Sequence, residues 1–125
     1  MDLIPDSVRR FLFSNIPSVP HLETLMLLWR EQERTFTVDD IASRLYVSVD
    51  VAKALADDLS KADLLSSADE ESTYRLNTEP PELRPLLQEL DRTYSRQVRA
   101  VAELIHSNVD RKAHRFATSF YWRKP

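Results

Sequence analysis

Residues 39–59, DDIASRLYVSVDVAKALADDL, are the segment on which the predicted architecture of this chain depends. Apolar residues recur at helical spacing on both sides of a short corner, which predicts two amphipathic helices joined by a tight turn. Ala42 supplies the small side chain that is needed where two steeply crossed helices touch. The same segment carries five aspartates and only two basic residues. The spacing of its apolar residues therefore bears on the fold, whereas its charge bears on what the segment could bind.

Both predicted helices have N-terminal capping signals. Thr37 and Asp40 are three residues apart, as in a reciprocal capping box, so the first of the two helices is predicted to begin near Thr37. The corner lies at residues 46–47, and Ser48 suits the N-cap of the second helix, which is predicted to end near Asp63. The residues predicted to face inward are Ile41, Ala42, Leu45, Val51 or Ala52, Leu55 and Leu59.

Two further helices are predicted upstream. A short one follows Pro5, with Asp6 or Ser7 as its N-cap. The next has Ser18 as its N-cap and tolerates Pro20 in its first turn, where the missing amide donor costs little. The predicted inward-facing residues are Val8, Phe11 and Leu12 in the first, and Leu22, Leu25, Met26, Leu28 and Trp29 in the second.

After the fourth helix the pattern changes to short strand-like runs. Residues 64–67 and 73–76 flank a polar tip at residues 68–72, which predicts a two-stranded hairpin. The tip lacks the Asn-Gly or Asp-Gly turn signal, and three of its residues are acidic. From residue 18 onwards the predicted order is helix, helix, helix, hairpin.

Over residues 18–79 the chain resembles the winged helix-turn-helix superfamily, and loosely the MarR-like bacterial transcriptional regulators. The resemblance rests on the small contact residue, the apolar positions around the corner and the hairpin that follows, which would be the wing. It departs from the usual pattern at Tyr46 and Asp63, where glycine is common. The resemblance implies a mainly α (α+β) fold with a two-stranded wing, in which the fourth helix reads DNA and a later helix builds a dimer.

A long C-terminal helix is predicted after the two prolines at residues 80–81, with Pro85 in its first turn. Its apolar residues recur at steps of four and three, close to a coiled-coil seam, so a homodimer is expected through residues 83–105. The seam residues are Leu83, Leu87, Leu90, Tyr94, Val98, Val101 and Ile105.

Residues 109–125 form a basic tail rich in aromatic residues. Such a segment suits nucleic acid, an anionic membrane face or an acidic protein surface. Alternatively, Phe116 and Phe120 cover the protein's own core while the basic residues stay in water. A related hypothesis is that the tail packs on the acidic body of the chain, in the same molecule or across a dimer. The predicted contact residues of the tail are Arg111, Lys112, Arg115, Arg123 and Lys124.

Charge is unevenly distributed along the chain. Residues 1–20 have a net charge of 0, residues 21–79 of −7 and residues 80–125 of +4, which together give −3. Because Lys and Arg supply most of the affinity for DNA, the acid-rich fourth helix is a poor phosphate-facing surface unless its few bases cluster on one side. The residues predicted to contact DNA or a protein partner are Arg44, Ser48, Asp50, Lys53, Ala54, Asp57, Lys61 and Arg75.

The composition excludes several kinds of site. The chain has no glycine, which excludes glycine-built phosphate loops and nucleophile elbows and forces any positive-φ turn onto another residue type. It has no cysteine, which excludes disulfides and thiolate metal sites. The three histidines lack the spacing of helix-borne metal ligands. We therefore expect no catalytic residues, no metal and no cofactor.

The longest run of large apolar residues, 25–29, is far too short to span a bilayer. The N-terminal sequence lacks the order of a secretion signal, so a cytoplasmic location is expected.

Four parts are predicted: a short N-terminal helix at residues 1–17, the winged helix-turn-helix domain at 18–79, the long helix at 80–108 and the basic aromatic tail at 109–125. The function expected first is transcriptional regulation by a small bacterial-type protein that binds DNA as a homodimer. The alternative is a protein–protein interaction module on the same fold that does not read DNA sequence.

Overall fold

The computed structural model describes residues 4–67 and 73–108. Within these ranges it contains a mainly helical fold with one small antiparallel sheet. The elements are α1 (Asp6–Asn15), α2 (Val19–Arg30), β1 (Phe36–Thr37), α3 (Val38–Leu45), α4 (Val49–Lys61), β2 (Leu65–Ser67), β3 (Thr73–Leu76) and α5 (Leu83–Arg96), followed by helical residues 98–108, here called α6.

The sheet has three strands in the order β1-β3-β2, not the two that the sequence predicted. The hairpin β2–β3 is confirmed, with Leu65 opposite Leu76. The added strand β1 places Phe36 opposite Tyr74. Because β1 is only two residues long, alternation of apolar and polar residues could not reveal it. The buried ring of Phe36 anchors this strand in the core.

Three of the predicted N-caps are confirmed. Ser18 accepts a hydrogen bond from the amide of His21 at 3.3 Å, and Ser48 accepts one from the amide of Val51 at 3.1 Å. Thr37 and Asp40 exchange the two hydrogen bonds of a capping box, each 3.0 Å long. The prediction for α1 was wrong, because the N-cap is Pro5 and Asp6 is already the first helical residue.

The turns that end α3 and α4 use left-handed backbone without glycine. Tyr46 has φ 58° and Asp63 has φ 62°, at the two positions where the sequence departs from the usual glycines. After Tyr46 the amide of Val47 bonds back to the carbonyl of Ala42 at 3.0 Å, and after Asp63 the amide of the next residue bonds to the carbonyl of Leu59 at the same distance. These bonds satisfy carbonyls at the helix ends, which offsets part of the cost of the strained backbone.

The core lies where α2, α3 and α4 pack on one another. Ala52, and not Val51, is the buried member of the pair that the sequence left open. Residues of α1, the sheet, α5 and α6 complete the core. The largest fully buried side chains include Leu12, Leu22, Leu25, Met26, Leu28, Phe36, Ile41, Leu59, Leu87, Leu90 and Ile105.

The predicted long C-terminal helix is interrupted. α5 ends at Arg96, and Gln97 adopts φ −135° and ψ 53° before α6 begins. Six of the seven seam residues are buried in the chain's own core, whereas Val98, next to the break, is 53% exposed. The periodicity therefore predicted an inward-facing stripe of residues correctly. That stripe packs in the chain's own core and is not available to form a dimer seam.

α5 is fastened to α2 by polar contacts as well. The hydroxyl of Tyr94 donates to Glu23 Oε1 at 3.0 Å. The indole Nε1 of Trp29 donates to Asp91 Oδ2 at 3.2 Å, and Arg30 donates to Asp91 Oδ1 at 2.7 Å. Burial, together with the hydrogen bond to Glu23, raises the pKa of Tyr94 to about 12. The C-terminal helices are thus part of the body of the protein.

Among the described residues no helix has both the length and the apolar character needed to cross a bilayer. The hairpin tip at residues 68–72 and the predicted tail at residues 109–125 lie outside the described residues.

Candidate functional site: the outward face of α4

The outward face of α4 is formed by four residues at steps of four, three and four: Asp50, Ala54, Asp57 and Lys61. Asp50, Ala54 and Lys61 are exposed and Asp57 is half-buried. The opposite side of the helix is buried in the core, through Ala52, Leu55, Ala56 and Leu59. Asp50, Ala54 and Lys61 are therefore open to solvent, and a macromolecule could reach them.

Lys53, at the edge of this face, is held by two neighbours. Its Nζ lies 3.1 Å from Asp57 Oδ2, one helical turn away, and 3.3 Å from the hydroxyl of Tyr74 on β3. That hydroxyl donates to Asp57 Oδ1 at 2.7 Å. Three side chains from α4 and the hairpin therefore form one closed hydrogen-bonded cluster.

The protonation of the cluster follows from these contacts. The hydrogen bond from Tyr74, and then that from Lys53, hold the pKa of Asp57 below its usual value. The bonds to Asp57 and Tyr74 raise the pKa of Lys53. Burial, and then the bond to Asp57, raise the pKa of Tyr74. Asp57 is thus a carboxylate that matches the charge of Lys53, and a phosphate that met Lys53 would also approach that carboxylate.

Arg44, the other base of the predicted reading surface, is also engaged. Its guanidinium donates to Glu31 at the end of α2, which also pairs with Arg34 at 3.3 Å. Phe36 lies beneath this cluster, 4.8 Å from the guanidinium of Arg34 and 6.0 Å from that of Arg44. The hydrogen bond from Arg44 is the largest cause that lowers the pKa of Glu31. The structure does not bring Arg44 and Lys53 together as one free basic patch.

The remaining predicted residues have separate roles. Ser48 caps α4 through its hydroxyl, which is a structural function. Asp50, Lys61 and Arg75 are exposed and take part in no ion pair formed within residues 4–67 and 73–108. The tail residues Arg111, Lys112, Arg115, Arg123 and Lys124 fall outside the described residues.

Sequence reasoning missed three exposed apolar side chains beside this face. Tyr46 is 95% exposed, Val49 48% and Val51 44%, and all three lie within six residues at the α3–α4 turn. Spacing could not reveal the two valines, because Val49 lies three residues before Ala52 and Val51 lies four residues before Leu55, separations that residues on one helix face share. We call Tyr46, Val49, Asp50, Val51 and Ala54 the α4 patch.

A chain of hydrogen bonds joins Ser18, His21 and Asp58. Ser18 Oγ lies 2.5 Å from His21 Nδ1, and His21 Nε2 lies 2.8 Å from Asp58 Oδ2. In a Ser-His-Asp triad the serine bonds Nε2 and the aspartate bonds Nδ1, the reverse of this arrangement. Ser18 is also committed as the N-cap of α2. The arrangement therefore fastens α2 to α4 and is not a nucleophile site.

The described residues contain no group of three or more His, Asp or Glu side chains that could hold a metal ion. Two grooves do not include the Ser18–His21–Asp58 chain: one of about 690 Å³ between the segment that follows α2 and the start of α5, and one of about 590 Å³ between α1 and α6. Comparisons with protein-family models, with curated proteins and with solved structures found no significant match to this chain.

Proposed function

We propose that this chain is a winged-helix protein that binds a protein partner through the α4 patch. The observation that carries the proposal is the Lys53–Asp57–Tyr74 cluster, which neutralises the lysine on the outer side of α4 while leaving Asp50 exposed. The order of helices, the hairpin after α4, and the left-handed turns at Tyr46 and Asp63 support a winged-helix fold.

The chemistry of the α4 patch suits a protein better than a DNA backbone. A phosphate at this surface would approach the carboxylates of Asp50 and Asp57, and like charges cost affinity, most of all at low salt. A protein surface with basic and apolar residues would instead pair with Asp50 and bury Tyr46, Val49 and Val51. Ala54, a small exposed residue one helical turn after Asp50, allows a close approach.

DNA binding is the second candidate, and two residues favour it. Lys61 and Arg75 are exposed and form no ion pair with any other described residue. A homodimer would double these charges. It would however need a surface other than residues 83–105, since most of that seam is already buried in the core.

The DNA candidate is tested by fluorescence anisotropy with a labelled random duplex at low salt. We expect binding weaker than about 10⁻⁴ M, below ordinary non-specific affinity. A different result would make DNA binding the leading function in place of protein binding. In that result the duplex binds more tightly than this, its affinity falls as salt is added, and Lys61→Ala/Arg75→Ala abolishes the binding.

The protein candidate is tested by quantitative affinity capture with matched variants of the full chain. Asp50→Asn/Val51→Ser removes one charge and one apolar side chain from the α4 patch. Glu103→Gln/Val98→Ser makes the same two kinds of change on α6, where both residues are exposed. We expect a captured protein to be lost with the first variant and kept with the second. Equal capture by both variants, with unchanged circular dichroism, contradicts the proposal.

A further inference from the structure

We propose that the chain's own basic tail, residues 109–125, binds the α4 patch in the same molecule and competes with the protein partner for it. The contact between tail and patch stands on the observations below. Only the competition rests on the proposed function.

Charge separates the chain into two complementary parts. Residues 1–108 carry 12 basic and 19 acidic side chains, a net charge of −7, whereas residues 109–125 carry five basic and one acidic, a net charge of +4. Within the α4 patch Asp50 has no ion-pair partner among the described residues. Its carboxylate is therefore available to a basic segment.

The apolar character of the two parts also matches. Tyr46, Val49 and Val51 expose 95%, 48% and 44% of their surface, and they lie within six residues of the sequence. Exposed apolar side chains on soluble proteins are ordinarily scattered singly over the surface. Aromatic side chains are effective anchors at protein interfaces because they bury a large area. The tail supplies four of them: Phe116, Phe120, Tyr121 and Trp122.

The tail is long enough to reach the α4 patch from the end of α6. It begins directly after Asn108 and has 17 residues, which span at most roughly 60 Å when extended. A compact domain of about 100 residues has a radius of gyration of about 13 Å. The tail can therefore reach any side of the body, and distance does not select the site.

Charge selects the α4 patch over the groove that lies nearest to the start of the tail. Asn108 lines the groove between α1 and α6, but so do Arg9 and Arg10, with Asp6 as the acid. Neither arginine forms an ion pair with another described residue. A basic tail would meet net positive charge there, whereas Asp50 offers an opposite charge on α4.

The affinity that this contact needs is small, because the tail is tethered. A short flexible linker provides an effective concentration of about 1 mM. If the free segment bound at about 100 μM, the patch would be occupied about ten to one in the intact chain. An outside partner would then bind about tenfold more weakly than it binds an open patch.

Paramagnetic relaxation in the full chain tests the contact directly. The chain has no cysteine, so Ser119→Cys provides one site for a nitroxide label. We expect strong broadening of the amide signals of Asp50 and Ala54, and recovery of those signals when Arg115, Arg123 and Lys124 are all changed to Gln. Broadening confined to Arg9 and Arg10 places the tail in the other groove and overturns the proposal, as does no selective broadening.

A mixed sample separates binding within one molecule from binding between molecules. Labelled chain without ¹⁵N is mixed with ¹⁵N-enriched chain that has no label. We expect no broadening in this mixture, whereas broadening of Asp50 and Ala54 would show exchange between copies and overturn the contact within one chain.

Competition is tested separately, with a partner obtained by the capture experiment above. The triple Gln variant should bind that partner about tenfold more tightly than the unchanged chain. Equal affinity together with positive relaxation data overturns the competition. If the relaxation experiment shows no contact between tail and patch, the proposal that the α4 patch binds a protein partner is unaffected. The two proposals can therefore fail independently.

Discussion

The hydroxyl of Tyr74 on β3 donates a 2.7 Å hydrogen bond to the carboxylate of Asp57 on α4. Lys53 bonds to both groups. This contact joins the hairpin to the helix whose outer surface faces solvent, and it fixes the charge of that surface. Of the two lysines of α4, Lys53 and Lys61, the first is thereby paired within the chain.

Replacing Tyr74 by Phe should lower the free energy of unfolding by about 1 kcal/mol. The change removes a hydrogen bond to a charged carboxylate while the buried ring remains in place. Urea unfolding measures the difference. Tyr46→Phe removes a hydroxyl from a tyrosine that is 95% exposed and should change nothing. Equal losses in both variants would show that the Tyr74–Asp57 bond contributes no net stability.

Acid should destabilise the protein partly through Asp57. Its pKa is lowered in the folded state, first by the bond from Tyr74 and then by Lys53. A lowered folded-state pKa adds stability above the unfolded value of about 4, and that stability is lost as the pH falls through the folded value. The pKa of Asp40 is lowered in the same way, mainly by the backbone amide of Thr37.

Urea unfolding between pH 2 and pH 7 measures this dependence. In Asp57→Asn the group no longer titrates, so the free energy of unfolding should fall less steeply below about pH 4 than in the unchanged chain. Parallel curves for the two proteins would contradict the role given to Asp57.

Glycine at Tyr46 or at Asp63 should stabilise the protein. Each residue has positive φ, which costs about 1–2 kcal/mol for a side chain with a Cβ atom. Glycine removes that strain but loses more entropy on folding, so we expect a net gain of about 0.5–1 kcal/mol from each substitution. Thermal and urea unfolding measure it. Tyr46→Ala, which keeps the Cβ atom, serves as the control and should give no gain.

Leu90→Ala should lower the free energy of unfolding by about 2–5 kcal/mol, because Leu90 is fully buried in the core and its loss leaves a cavity. Its stability should not depend on protein concentration, since the seam packs within one chain. Val98→Ser, at the exposed position of the same periodic series, should be nearly neutral. Sedimentation or light scattering checks the assembly state. A concentration-dependent loss in Leu90→Ala would instead support a dimer through residues 83–105.

Much of the fold followed from local sequence signals. Ser18, Thr37 and Ser48 mark helix starts because each side chain satisfies an amide only a few residues away. The inner faces of α2 and α3 followed from spacing, because burial repeats with the helix period. The hairpin was readable from its two short strand-like runs, β2 and β3.

Other features depend on contacts that are distant in sequence. β1 exists because Phe36 and Thr37 pair with β3, 36 or more residues later, and no local pattern requires that. The apolar spacing around Val98 is the same for a buried inner face as for a dimer seam, so it does not distinguish the two. The break at Gln97 leaves the steps of four and three residues between apolar positions unchanged. The neutralisation of Lys53 depends on Tyr74, 21 residues away. Sequence therefore predicted which side of α4 faces outward, whereas the pairing of Lys53 required the structure.

The hydrogen bond from Trp29 to Asp91 gives the protein an intrinsic optical reporter. The indole of Trp29 on α2 contacts Asp91 on α5, so detachment of α5 would move this indole into water and shift its fluorescence to longer wavelength. The second of the two tryptophans is Trp122, in the tail. Trp122→Phe leaves a signal from the body alone and Trp29→Phe a signal from the tail alone, so emission spectra can follow the two parts of the chain separately without an added dye.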